Sequence, residues 1–254
     1  MLKLNLGTLS LAMLSVLSVS YLPSNAAEAV DPVLDSVTHK DRLKSDLWRD
    51  EARMPRQVLD FFDIKAGMRV ADIQAADGYY TELLSRAVGE EGRVFCVNDS
   101  VTQRLYGERL TERLKRSELD TDNIERIDAP LTKMGLPKDL DRVLLVRFYH
   151  DFEWMKIDRE KFNETIFESL RPGGVFAVID HHAREGKGIS EGGTLHRVEA
   201  SLVKREVEEA GFVLEAESYV LRDVTDPRDF NIFADNQKRR DKTDRFVYLF
   251  RKPE

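Results

Sequence analysis

The chain has 254 residues, 42% of them hydrophobic and 33% charged, with a formal net charge of −7. This composition suits one folded domain with a sizeable core. The acidic balance excludes a general nucleic-acid binder, which needs basic surface to neutralise phosphates.

Lys3 is the only charge before Glu28, and an apolar stretch runs from Leu4 to Leu22. Pro23, Ser24, Asn25, Ala26 and Ala27 follow. A charged start, an apolar centre and small residues at the end form the layout of a secretory signal peptide. Cleavage is expected after Ala26, with Ala27 as the neighbouring alternative. An uncleaved membrane anchor is the competing reading, because the stretch is long enough to span a bilayer. Pro23 and the small residues favour cleavage, and with it export, in a bacterium to the periplasm. No stable membrane anchor is expected afterwards. Cys96 is the single cysteine, so no internal disulfide can form, and its apolar neighbours make it a core thiol.

Residues 27–66 read as an N-terminal helical segment and 67–254 as the main domain. Residues 28–47 show no clear period and suit a leader or a loose helix. Pro55 to Phe62 reads as a helix, with Val58, Leu59 and Phe62 on one face. From Met68 onward, short apolar runs alternate with helical patterns. Strands are expected at Met68–Ile73, Arg93–Val97, Ile124–Ile127, Arg142–Phe148, Val175–Ile179, Phe212–Tyr219 and Arg245–Phe250. Helices are expected at Tyr79–Val88, over 101–118, around Phe162 to Leu170, and over Leu195–Ala210. Strands separated by helices imply a doubly wound, mostly parallel seven-stranded α/β sheet with helices on both faces.

In such a sheet, ligands sit at the carboxyl ends of the strands where the winding reverses. The first strand ends in Asp72-Ile73-Gln74-Ala75-Ala76-Asp77-Gly78-Tyr79, and a helix begins there. Free N–H groups at that helix start favour an anionic group such as a ligand carboxylate. An acidic residue closing the strand, a small-residue turn and a helix start resemble the first motif of the class I S-adenosylmethionine (SAM)-dependent methyltransferases. The stretch Arg49 to Asn98 resembles an exported, signal-peptide-bearing subgroup of methyltransferase-like proteins. Tyr149-His150-Asp151, Leu170-Arg171-Pro172-Gly173-Gly174, Asp180-His181, Leu195-His196-Arg197 and Lys242-Thr243-Asp244-Arg245-Phe246 extend that likeness over nearly all of the remaining chain.

The resemblance implies a Rossmann-like fold, SAM as cofactor, and Asp72, Gln74, Ala76, Gly78 and Tyr79 around its methionine part. It also implies Asn98 and Asp99 near the ribose, and Asp128 and Ala129 near adenine. The family has three glycines in the first turn, whereas here Gln74 and Ala76 stand at two of those places. Asn98 stands where the family has a carboxylate. These departures leave open whether SAM binding survives. The fourth and fifth strands run into His150-Asp151 and Asp180-His181, and His196 lies just beyond. Histidine near its pKa can take a proton from an acceptor, and an aspartate can hold its tautomer. His150, Asp151, Asp180, His181 and His196 are therefore the candidate catalytic residues. Arg147, Arg184 and Arg197 are candidates for an anionic substrate. The spacing matches no compact metal motif, so no metal ligands are expected. Glycines at 186, 188, 192 and 193 suggest a mobile lid. The expected function is methyl transfer to a small molecule or a protein side chain. A repurposed binding protein and a SAM-independent enzyme using the same crevice remain alternatives.

Overall fold

The computed structural model describes residues 31–116, 118–119, 121–234 and 242–254. The expected signal peptide lies outside the described residues. Among those described, no helix is long and apolar enough to cross a membrane.

Three helices come first: α1 (Pro32–Thr38), α2 (Lys44–Arg53) and α3 (Pro55–Phe61). Where a loose helix was expected, two short ones form. Asp31 caps α1 by accepting the Leu34 N–H, and Pro32 sits at its first turn. Met54, left-handed at φ 47, ends α2 and starts α3.

The main alternation follows as β1 (Arg69–Ile73), α4 (Tyr79–Val88), β2 (Arg93–Asn98), α5 (Ser100–Leu114), β3 (Ile124–Asp128) and β4 (Leu140–Val146). A 3-10 turn (Tyr149–Asp151) and α6 (Phe152–Met155) then lead to α7 (Arg159–Ser169) and β5 (Leu170–His181). The chain ends with α8 (Gly192–Leu195), α9 (Ala200–Glu209), β6 (Val213–Ser218) and β7 (Arg245–Arg251). The sheet order is β3-β2-β1-β4-β5-β7-β6, and β7 runs antiparallel to both β5 and β6. The expected seven-stranded, mostly parallel fold is present.

Central strands are buried on both faces, so Val143-Leu144-Leu145 need no polar alternation. One face packs Val58, Leu59 and Phe62 with Leu83, Leu84 and Val70. The other packs Phe152, Phe162, Ile166, Val203 and Val207 against Ala71, Leu145 and Phe176. Cys96 is fully buried, and burial pushes its thiol up to about 12, as suits a core position.

Two expected elements differ. The strand expected from Val175 begins at Leu170, through Pro172-Gly173-Gly174. The helix expected over Leu195–Ala210 breaks after Leu195: His196 is left-handed (φ 56) and Val198 bridges to His182 as a short extension of the sheet. Beside the break, the Arg197 guanidinium is fully buried against Asp226 at 2.8 Å.

Candidate functional site

The turn after β1 keeps an unusual backbone. Gln74 (φ 56), Ala76 (φ 54) and Gly78 (φ 81) are all left-handed. For the two non-glycines this conformation costs about 1–2 kcal/mol each. The surrounding structure therefore has to hold it. Asn98 does so with both ends of its amide: Oδ1 accepts the Ala76 N–H at 2.9 Å and Nδ2 donates to the Ala76 carbonyl at 3.2 Å. Gly78 also needs to be glycine for space, since a Cβ there would lie 2.8 Å from Leu110 Cδ1.

Gln74 is buried. Its Oε1 accepts the Asp99 N–H at 3.4 Å, while its Nε2 has no hydrogen-bond partner. Asp72 is buried beside it and accepts the Thr81 hydroxyl at 2.7 Å. Burial pushes the Asp72 carboxyl up to about 7, against the lowering effect of Thr81.

These residues floor a cavity of about 700 Å³ at the carboxyl ends of β1 and β4. The N-terminus of α5 supplies Val101, Leu105 and Tyr106, and α2 supplies Trp48, Arg49 and Arg53. Helix α2 thus covers the cavity. It is bolted down by charge: Arg49 pairs with Asp77 at 2.7 Å, and Arg113 donates to the Asp77 carbonyl and to the Asp46 and Glu82 carboxylates. Although burial alone would raise it, Arg49 and Arg113 hold the Asp77 carboxyl below the usual range.

Opposite lies a histidine–aspartate cluster. After β4, Arg147 turns left-handed (φ 59) and sends the chain into the 3-10 turn that carries His150 and Asp151. Asp180, at the end of β5, accepts the His150 N–H at 2.8 Å and lies 2.6 Å from His150 Nδ1. Asp151 Oδ1 lies 3.2 Å from His150 Nε2 and 2.9 Å from His196 Nδ1, and accepts the Trp154 indole N–H at 2.6 Å. Burial works to lower the His150 pKa, but Asp180 and Asp151 outweigh it and raise it to about 10. That direction favours the charged imidazole. Gly192 packs so closely that a Cβ would lie 2.4 Å from the His150 carbonyl oxygen, which fixes the following loop onto the cluster.

Of the residues anticipated from sequence, Asp72, Gln74, Ala76, Tyr79, His150, Asp151 and His196 line the cavity. Asp180 stands behind His150. His181 is buried at 2.7 Å from Thr243 Oγ1, with its ring 5.7 Å from that of His150. Gly78 caps α4. Asn98 holds the turn. Asp99 accepts the Thr102 N–H as the cap of α5. Asp128 accepts from Arg126 and Gln103, and Ala129 donates its N–H to the Asn98 carbonyl. Among the substrate arginines, Arg147 lines the cavity, but Arg197 is bound to Asp226 and Arg184 to Glu191. The expected lid is tied at its base by that Arg184–Glu191 pair and by the Gly188 N–H donating to Glu199 at 2.9 Å. Sequence reasoning did not single out Trp154, Leu105, Tyr106 or Phe233, whose apolar character reads equally well as core.

Residues 43–129, from α2 to the end of β3, match the family model of protein-L-isoaspartate(D-aspartate) O-methyltransferase. A SAM-dependent methyltransferase from Aquifex aeolicus superposes with a TM-score of 0.60 at 22% identity, covering 80% of this chain and 92% of that one. The fold is that of the SAM-dependent methyltransferases. A second such enzyme, from Mesorhizobium loti, gives 0.53 at 18% identity, covering 80% of this chain and 99% of its own. Human N-acetylserotonin methyltransferase in complex with SAM gives 0.53 at 16% identity, with coverages of 82% and 53%. A search of curated protein sequences found no significant match. The family match covers less than half of the chain, and the solved structures share its fold.

Proposed function

We propose that this chain is a SAM-dependent methyltransferase that acts outside the cytoplasm on a small molecule or a protein side chain. One observation carries the reading. The turn after β1 keeps its left-handed backbone at Gln74 and Ala76 although neither is glycine, and Gln74, which lines the cavity, keeps a buried Nε2 with no hydrogen-bond partner. Strain of this kind persists where a ligand site needs it.

The residues present fit the cofactor. The start of α4 offers N–H groups to a carboxylate, and Gln74 Nε2 offers a further donor. Asp72, buried at the floor, complements an ammonium. Val101, Leu105 and Tyr106 form an apolar wall for the nucleoside. When bound, SAM supplies an electrophilic methyl group on a sulfonium centre.

The chain's own residues position and shield the acceptor. Trp48, Leu105 and Trp154 are exposed apolar side chains at the cavity wall and suit an acceptor with an apolar body. His150, Asp151 and His196 form the polar end. Asp151 sits between both imidazoles, and a carboxylate 2.9 Å from His196 Nδ1 favours the tautomer with Nδ1 protonated. That leaves His196 Nε2 to take the acceptor's proton. Export is supported by the layout of residues 1–26.

A repurposed scaffold is favoured by one feature, the hold of Ala76 on both ends of the Asn98 amide, which competes with a ribose for that side chain. Fluorescence separates the two readings. Both tryptophans of the chain, Trp48 and Trp154, line the cavity. Adding SAM or S-adenosylhomocysteine should change their emission saturably. An unchanged emission across millimolar ligand would favour the scaffold.

A further inference from the structure

We propose that His150, Asp151 and His196 form a binding site for one divalent transition-metal ion of the zinc or cobalt class at the acceptor end of the cavity. What the ion does there rests on the methyltransferase reading; its binding does not.

The geometry is that of a coordination sphere. One potential ligand atom from each residue lies within 4.8 Å of the others. Asp151 Oδ1 is 2.9 Å from His196 Nδ1 and 3.2 Å from His150 Nε2. Two donors each about 2.1 Å from an ion stand about 3.0 Å apart at right angles and about 3.4 Å apart at the tetrahedral angle, which brackets the longer of these distances.

His150 gives the second, independent sign. Its side chain is 1% exposed, and its Nε2 makes no hydrogen bond, although Asp151 is near. A buried imidazole nitrogen that meets a carboxylate without a directed hydrogen bond is suited to an ion between them. The other ring nitrogen is already held by Asp180 at 2.6 Å. This carboxylate–imidazole arrangement fixes ring orientation in metal sites and leaves Nε2 as the ligand atom. Asp180 is itself anchored by the backbone N–H groups of His150 and His181. The Trp154 indole orients Asp151 in the same way. His196 takes a left-handed backbone, which no glycine relieves, to bring its ring to the cluster.

The donor set selects the ion. Two imidazoles and one carboxylate suit zinc, cobalt, nickel or iron(II), whereas magnesium and calcium prefer oxygen alone. Binding requires an unprotonated ligand nitrogen on each ring, so the ion displaces the protons there. Three protein donors leave positions open toward the cavity. An acceptor hydroxyl can occupy one of them, and the ion then lowers the hydroxyl's pKa.

The test uses the full folded chain, stripped with a chelator. Cobalt(II) is added and followed by visible absorption, and zinc(II) by calorimetry. The expected result is one ion per chain. His196→Ala and Asp151→Asn lose stoichiometric binding, and Asp180→Asn weakens it about 10-fold. His182→Ala, which removes an imidazole outside the cluster, keeps it. Near-ultraviolet circular dichroism confirms folding of each variant. Absence of stoichiometric binding, or binding unchanged in both His196→Ala and Asp151→Asn, overturns the site. Tryptophan fluorescence with S-adenosylhomocysteine, read on the same samples, reports separately on the cofactor. Metal bound without that response would keep the ion site and remove the methyltransferase reading.

Discussion

Gln74→Gly should make the protein more stable and a poorer cofactor binder at once. Gln74 sits at φ 56, where a side chain costs about 1–2 kcal/mol and glycine costs little. Against that gain stands the loss of one long hydrogen bond, 3.4 Å from the Asp99 N–H, and the extra chain entropy of glycine. A net stabilisation of about 0.5–1 kcal/mol remains, which raises Tm by about 2–3 °C for a chain of this size. The same change removes the buried, unpartnered Nε2 of a residue that lines the cavity. Losing one hydrogen bond to a bound ligand costs about 1 kcal/mol, or about 5-fold in Kd for SAM. Thermal unfolding and a SAM titration of the same sample measure both quantities. A lower Tm would refute the strain argument. An unchanged or tighter Kd would refute the assigned role of the amide.

Asn98→Asp, which restores the family's usual acidic residue, should destabilise this chain. It would replace the amide nitrogen that donates to the Ala76 carbonyl with an oxygen, costing about 2 kcal/mol, measurable by denaturant titration. Arg113→Ala should lower Tm by about 5 °C in a melting scan, because Asp46 and Glu82 lose their shared cation while Arg49, Arg86 and Arg116 remain beside them, a loss of about 2 kcal/mol. Asp72 sets a pH dependence. Its folded pKa, about 7, lies above the unfolded value of 3.8, so the folded chain holds the proton more tightly. This group's favourable contribution is present below about pH 4 and is lost as pH rises to about 7. Tm measured across that window should fall less steeply for Asp72→Asn than for the natural sequence, and parallel curves would contradict the assignment.

The alternating pattern was readable because the strands are short and apolar and the helices are periodic. Val143-Leu144-Leu145 and Tyr79 to Val88 each have one stable solution. The floor of the site was readable for the same reason: Asp72 ends the strand whose fold fixes the crevice. What failed depended on partners distant in sequence. Beside the break after Leu195, Arg197 meets Asp226, 29 residues on, which no local period reveals. The resemblance implies a ribose role for Asn98, whereas its side chain holds the Ala76 backbone. The grouping of His150, Asp151 and His196 was hidden because 45 residues separate Asp151 from His196 and a left-handed backbone brings them together. Linear spacing could not show a metal-like cluster built that way.

The central claim is that the strained turn and the cavity above it receive SAM. Calorimetric titration of the folded chain with SAM and with S-adenosylhomocysteine tests it most directly. The account predicts saturable binding of one molecule per chain for both ligands, weaker in Gln74→Gly. A chain shown to be folded that binds neither ligand would contradict it.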